Sequence, residues 1–188
     1  MCSIAPLPLR TASVYDGEML RIALVVLALS ACSKKDKAPE DKPAEKPAID
    51  LTGPCGPLAV LVDGAPLEGL VHGTSVIMES GSYRTPMVQL YNHDKATCEE
   101  ALTGSRTPQE NEINVRAWHG EMPGVGIDAF TQIEGTITLD KPTETVGETM
   151  QICVRAPVVF TPNAGAYTGK KVSISGTFAA PFCGVRKS

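Results

Sequence analysis

From Ile49 to the C-terminus the chain is built of short apolar stretches, each broken within a few residues by Gly, Pro, Asn or Asp. That pattern leaves little room for long helices and favours strands. Leu58–Val62 is a compact apolar run. Asp63-Gly64 behind it is a hairpin turn signal that leads into Ala65–Val71. Ser75–Met78 and Met87–Tyr91 read as further strands. Ile113, Val115 and Ala117 alternate with polar neighbours, as do Ile133, Ile137 and Leu139, with Gly135 at the place of a bulge. Met150, Ile152 and Val154, then Val172, Ile174 and Phe178, continue the period of two. Lys95–Leu102, with its acidic residues and Ala, is the one stretch that reads as helix. Seven to nine short strands with turns between them predict an all-β domain over residues 49–188, an antiparallel β-sandwich or alternatively a β-barrel, carrying one short helix.

The residues before this domain follow different rules. Met19-Leu20-Arg21 is followed by eight apolar residues, Ile22–Leu29, and then by Ser30-Ala31-Cys32. As a helix the apolar run would be about 12 Å long, far short of a bilayer core of about 30 Å. It has the make-up of an export signal. Leu29-Ser30-Ala31-Cys32 resembles the lipobox of bacterial lipoproteins, whose cysteine is lipidated and becomes the new N-terminus. The resemblance implies a lipid anchor on Cys32 and a signal peptide spanning residues 1–31. Asp16 and Glu18 put negative charge where such a signal carries positive charge, and Pro6 and Pro8 interrupt a helix. Translation is therefore expected to start at Met19. In enteric lipoproteins an aspartate after the lipidated cysteine often marks inner-membrane retention. Ser33 stands here, so the resemblance leans towards the outer membrane.

Residues 32–48 connect anchor and domain. Ser33–Pro47 reads SKKDKAPEDKPAEKP, with three prolines, charges of both signs and no aliphatic side chain larger than Ala. Such a segment has nothing with which to form a core and reads as a disordered tether. Fifteen extended residues reach about 45 Å, enough to hold a domain clear of the headgroups.

Cys55, Cys98, Cys153 and Cys183 form an even set in an exported domain, which predicts two disulfides with three connectivities open. A four-thiolate zinc site would need a close Cys-x-x-Cys pair, and there is none. Met150–Phe160 and Lys171–Phe182 read as partners across the loop 161–170. With Phe160 facing Lys171, Cys153 lies opposite Phe178, and Cys183 is five residues further, about 17 Å away. A disulfide needs Cα atoms within about 7 Å, so a regular hairpin disfavours Cys153 with Cys183 and leaves the other two arrangements open. The helical turn Thr97–Leu102 (TCEEAL) and the closing Gly176–Cys183 (GTFAAPFC) resemble two landmarks that occur together in uncharacterised β-rich envelope lipoproteins. That likeness covers the C-terminal part loosely and carries no activity. It implies Cys98 with Cys183 and Cys55 with Cys153.

Chemistry is sparse in the sequence. His72, His93 and His119 form no His-x-x-x-His pair, and their turn-like settings favour solvent-facing side chains over a site assembled from His93, Asp94, His119 and Glu121. Gly-x-Ser-x-Gly, phosphate-loop and dinucleotide fingerprints are all missing, and Glu99-Glu100 are neighbours that do not face one another on a helix. No catalytic residue, cofactor or metal ligand is nominated. With 21 acidic against 17 basic residues and no dense cationic cluster, nucleic acid is not an expected partner. Low aromatic content, 5%, argues against a stacking groove. Two Gly-rich loops, Trp118–Gly126 (WHGEMPGVG) and Thr161–Lys170 (TPNAGAYTGK), each carry a large aromatic. Trp118, Met122 and Tyr167 are the expected partner contacts. For Trp118 the competing reading, a strand end that plugs the core, is the stronger. The function expected is a lipid-anchored binding or structural module of the envelope with an envelope protein as partner. An inhibitor or accessory subunit of an envelope enzyme is the alternative, and a metal-dependent or hydrolytic enzyme a lesser one.

Overall fold

The computed structural model describes residues 53–132 and 136–188. The export signal, Cys32 and the tether lie outside the described residues, and so do Ile133 and Gly135.

Ala59–Val62 (β1) and Ala65–Pro66 (β2) pair across Asp63-Gly64, which both take positive φ, the twist a two-residue hairpin turn requires. The expected strand to Val71 ends at Pro66, two residue pairs into the hairpin and at a residue with no ladder donor of its own. His72–Ser80 (β3) and Tyr83–Tyr91 (β4) are nine residues each and pair along their whole length across Gly81-Ser82. They extend well beyond the apolar segments that announce them. Cys98–Thr103 (α1) begins three residues later than its composition suggests, because Thr97 caps it. The Thr97 hydroxyl accepts from the Glu100 amide, and the Glu100 carboxylate accepts from the Thr97 amide. Asn114–Trp118 (β5), Gly124–Ile127 (β6), Thr131–Gln132 (β7), Ile137–Lys141 (β8), Thr149–Phe160 (β9) and Val172–Lys187 (β10) complete the chain.

β10 is the spine of a single ten-stranded sheet. Its first part runs antiparallel to β9 on one edge and to β1 on the other, while its last part, from Phe182 to Lys187, runs parallel to β3. From β3 the order continues through β4, β5, β6 and β7, and β8 lies outside β9. The sheet curls into an open half-barrel, so that β4 and β5 come into contact with β9 across the interior. All-β holds. A purely antiparallel arrangement does not, since β3 and β10 run the same way.

Strict alternation sorts the side chains. Ile77, Val88, Ala117 and Phe182 face the interior, where they meet Ile152 and Phe178. Burying a side chain of this size contributes about 1.5–3 kcal/mol, so this layer is the main source of stability. Their neighbours Val76, Met87, Trp118 and Cys183 face outward and form a second, smaller cluster, roofed by Ala101 and Leu102 of α1.

The β9–β10 hairpin is one residue out of the expected register. Phe160 faces Val172, not Lys171, and Cys153 faces Thr177, not Phe178. The ladder begins one residue beyond the expected place at the turn, and a bulge between Ile174 and Gly176, where β9 advances four residues against two of β10, carries it past the expected register to the other side. Gly176 has a φ of +97°, and a Cβ there would strike the Pro57 carbonyl, so the bulge needs glycine on both counts. Cys55 is bonded to Cys153 and Cys98 to Cys183, with Cα separations of 5.9 and 5.1 Å. The first bridge ties the segment leading into β1 onto β9. The second ties α1 to the outer face of β10.

Candidate functional site

Where the half-barrel opens, β4 begins, β5 ends and β8 ends, and these three strand ends surround a cleft of about 710 Å³. Alternation along the strands makes its floor apolar: Ile77 from β3, Pro86 from β4, Leu139 from β8 and Met150 from β9. The rim is polar. Arg84 spans the mouth, its Nε 3.2 Å from the Glu79 carboxylate and its Nη1 3.0 Å from that of Glu144. Those two carboxylates raise the Arg84 pKa, Glu144 contributing most. Glu121 and His119 form the opposite wall, held there because the His119 amide donates to the Pro86 carbonyl at 2.9 Å. The volume falls within the range of about 300–1,000 Å³ typical of small-molecule sites.

A second concavity, about 190 Å³, lies on the outer face of the sheet and is lined by Met78, Tyr83, Met87, Trp118, Met122 and Phe130. Trp118 and Met122 come together here: the indole N–H donates to the Met122 carbonyl at 2.7 Å. Trp118 is itself 5% exposed, a strand end packed in the outer cluster and outside the main core. Phe130 stands edge-on to it with ring centroids 5.0 Å apart, and the Arg116 guanidinium lies over the Phe130 ring at 4.5 Å. Burial lowers the Arg116 pKa, against the raising influence of Tyr91 and Asp128. Tyr83, Met122 and Phe130 are more than half exposed. The stretch read as a Gly-rich loop is in part a strand, since Gly124–Ile127 is β6. Gly124 leaves room for the Trp118 ring, since a Cβ there would overlap the indole.

Tyr167 is in neither place. It is half-buried against the interior cluster, with Lys170 above its ring at 5.8 Å, and burial followed by the Asp128 charge raises its pKa. His93 and His119 stand at opposite ends of the β4–β5 ladder, so His93, Asp94, His119 and Glu121 do not converge. His93 faces Glu112 at 3.3 Å, and Arg106 holds the same carboxylate while stacking on Tyr91. His72 bonds the Ala96 carbonyl at 2.9 Å, fastening the approach to α1. Among the described residues one group has metal-ligand spacing, Cys55, Asp140 and Cys153. Both its sulfurs are spent in a disulfide and Asp140 is paired with Arg155, so it offers no thiolate.

Sequence reasoning did not nominate Arg84, Leu139, Glu144 or Met150. They come from three strands and a turn, and only their positions as inward-facing or strand-end residues hint at them. Comparison with protein-family models, curated proteins and solved structures finds no match to this chain.

Proposed function

We propose that this chain is a lipoprotein of the bacterial envelope, anchored through Cys32 and held off the membrane by residues 33–48, whose domain binds a ligand in the cleft at the mouth of the half-barrel. The observation that carries this reading is the cleft itself. A curled sheet that closed fully would fill its interior with side chains, whereas this one leaves a cleft whose apolar floor, Pro86 and Leu139 over the buried Ile77 and Met150, lies beneath a charged rim. We accordingly read the sheet as a barrel parted along one seam, in preference to a sandwich. Ser33 after the lipidated cysteine favours the outer membrane. Photo-crosslinking in whole cells tests the reading: a photoreactive residue at Thr143, on the cleft wall, should trap a ligand that the same residue at exposed Val159 does not. Equal labelling at both positions, or none at Thr143, would count against it.

A second reading has its own observation. Tyr83, Met122 and Phe130 present exposed apolar surface beside Trp118, as a contact surface of an accessory subunit or inhibitor would. A photoreactive residue at Tyr83 that captured one discrete envelope protein, with Thr143 silent, would favour this reading over the first.

A further inference from the structure

We infer that the cleft takes a small amphiphile consisting of an alkyl body and a protonated amine head, an inference that rests on the cleft being the ligand seat. The floor supplies the first half of the argument. Pro86 and Leu139 offer accessible aliphatic surface over the buried Ile77 and Met150, and none of the four carries a nitrogen or oxygen in its side chain. An alkyl chain laid on it loses nothing, while a peptide backbone in the same place would leave N–H and C=O groups without partners.

The rim supplies the second half. Among the described residues, Arg84 is the sole lysine or arginine lining the cleft, and Glu79 and Glu144 already hold it from two sides. Glu121, exposed on the opposite wall, is the second carboxylate lining the cleft, beside Glu144. One cation against the two lining carboxylates, with Glu79 also bound to that cation, leaves the mouth negative. An anionic head group would have to break the Arg84–Glu144 pair and then sit among the remaining carboxylates. An ammonium meets Glu121 directly and can replace Arg84 on Glu144, releasing a guanidinium that is already half in solvent. Both contacts are near water, so they select the head group more than they add affinity, and salt weakens them. Affinity comes from the floor and selectivity from the rim.

Calorimetric titration of the full chain carrying Cys32→Ala, which keeps lipid out of the assay, tests this with octylammonium, octyl sulfate and octyl glucoside, each below its micelle concentration. Octylammonium is expected to bind about tenfold more tightly than octyl sulfate, a difference of about 1.4 kcal/mol. The Glu121→Gln/Glu144→Gln double variant should bring the two within about twofold. Comparable binding of all three amphiphiles would overturn the amine inference and leave the cleft as the ligand seat. Tighter binding of octyl sulfate would also overturn it, assigning Arg84 as the head-group contact. A short peptide of lysines and leucines outcompeting octylammonium would replace the amphiphile by a protein partner. Binding of none would remove the cleft reading together with the inference.

Discussion

Cys98 and Cys183 are 85 residues apart in sequence and 5.1 Å apart at Cα, bonded across the outer face of the sheet. The bond fixes a six-residue helix that has no buried residue of its own over Val76, Met87 and Trp118. A helix so short is not stable alone, and its caps and this one covalent link hold it.

Replacing both cysteines with alanine should therefore cost about 4–5 kcal/mol, the loop-closure figure for a ring of this size, with strain and residual structure reducing it. Urea unfolding measures the loss. Amide exchange over residues 97–104 should rise well beyond that in β9, because α1 would come free while the interior layer stayed packed. Uniform acceleration through the whole domain would show that the helix is not a separate unit.

Gly124→Ala should destabilise the domain by about 1–3 kcal/mol, the usual cost of forcing extra volume into a packed site. The added Cβ would push the Trp118 indole off β6 and away from the Met122 carbonyl. Since Trp118 is the only tryptophan, its emission reports the shift directly. Gly56→Ala, where nothing lies within 4 Å of the new Cβ, is the matched control and should stay within about 0.5 kcal/mol of the parent.

Acid should weaken the fold through His93. Burial, then the charges of Arg106 and Lys95, hold its pKa below the ordinary histidine value of about 6.5. Glu112 at 3.3 Å does little to reverse this, because Arg106 and the Gln109 amide already occupy its oxygens. The unfolded chain then binds the proton more readily than the folded one. His93 thus contributes its full stability above about pH 6.5, and that contribution is lost as pH falls towards the lower folded-state value. Unfolding midpoints measured from pH 8 to 5 should decline, and His93→Gln should flatten the part of the decline that begins near 6.5. An unchanged slope in the variant would assign the titration elsewhere.

Cys32→Ala should abolish incorporation of an alkynyl fatty acid and move the protein out of the membrane fraction or stall it with its signal attached. Mass measurement of the mature parent should find nothing N-terminal to Cys32. Unchanged lipid labelling in the variant would defeat the anchor, and a mature chain retaining residues 1–18 would defeat the processing.

Much of the local structure was legible in the residues. The alternation at Ile113, Val115 and Ala117 placed β5 and told its inward face, because a strand's side chains repeat every two residues whatever surrounds them. Asp63-Gly64 announced a turn because two consecutive positive φ values suit few residue pairs. Where local signals failed, a distant contact had intervened. Gly124–Ile127 looks like loop by composition, yet it is a buried strand whose glycines make room for Trp118 and for the backbone at Ala129. The last hairpin departs from a single register because it is bulged between Ile174 and Gly176, where the Pro57 carbonyl lies against Gly176 from a segment more than a hundred residues earlier.

The sequence alone determined an all-β domain, the alternation of most strands, a short helix and an even set of cysteines that suits bridges, since each follows from a few adjacent residues. Beyond the hairpins at Asp63-Gly64 and across residues 161–170, tertiary structure alone decided which strands are neighbours. It set β3 parallel to β10 and brought Cys98 over Cys183, and it drew Arg84, Leu139, Glu144 and Met150 around one opening. A period of two says which side of a strand is apolar, but it is the same for every partner and either direction of pairing. The choice rests on how the curled sheet buries its interior side chains together, and that depends on all its strands at once.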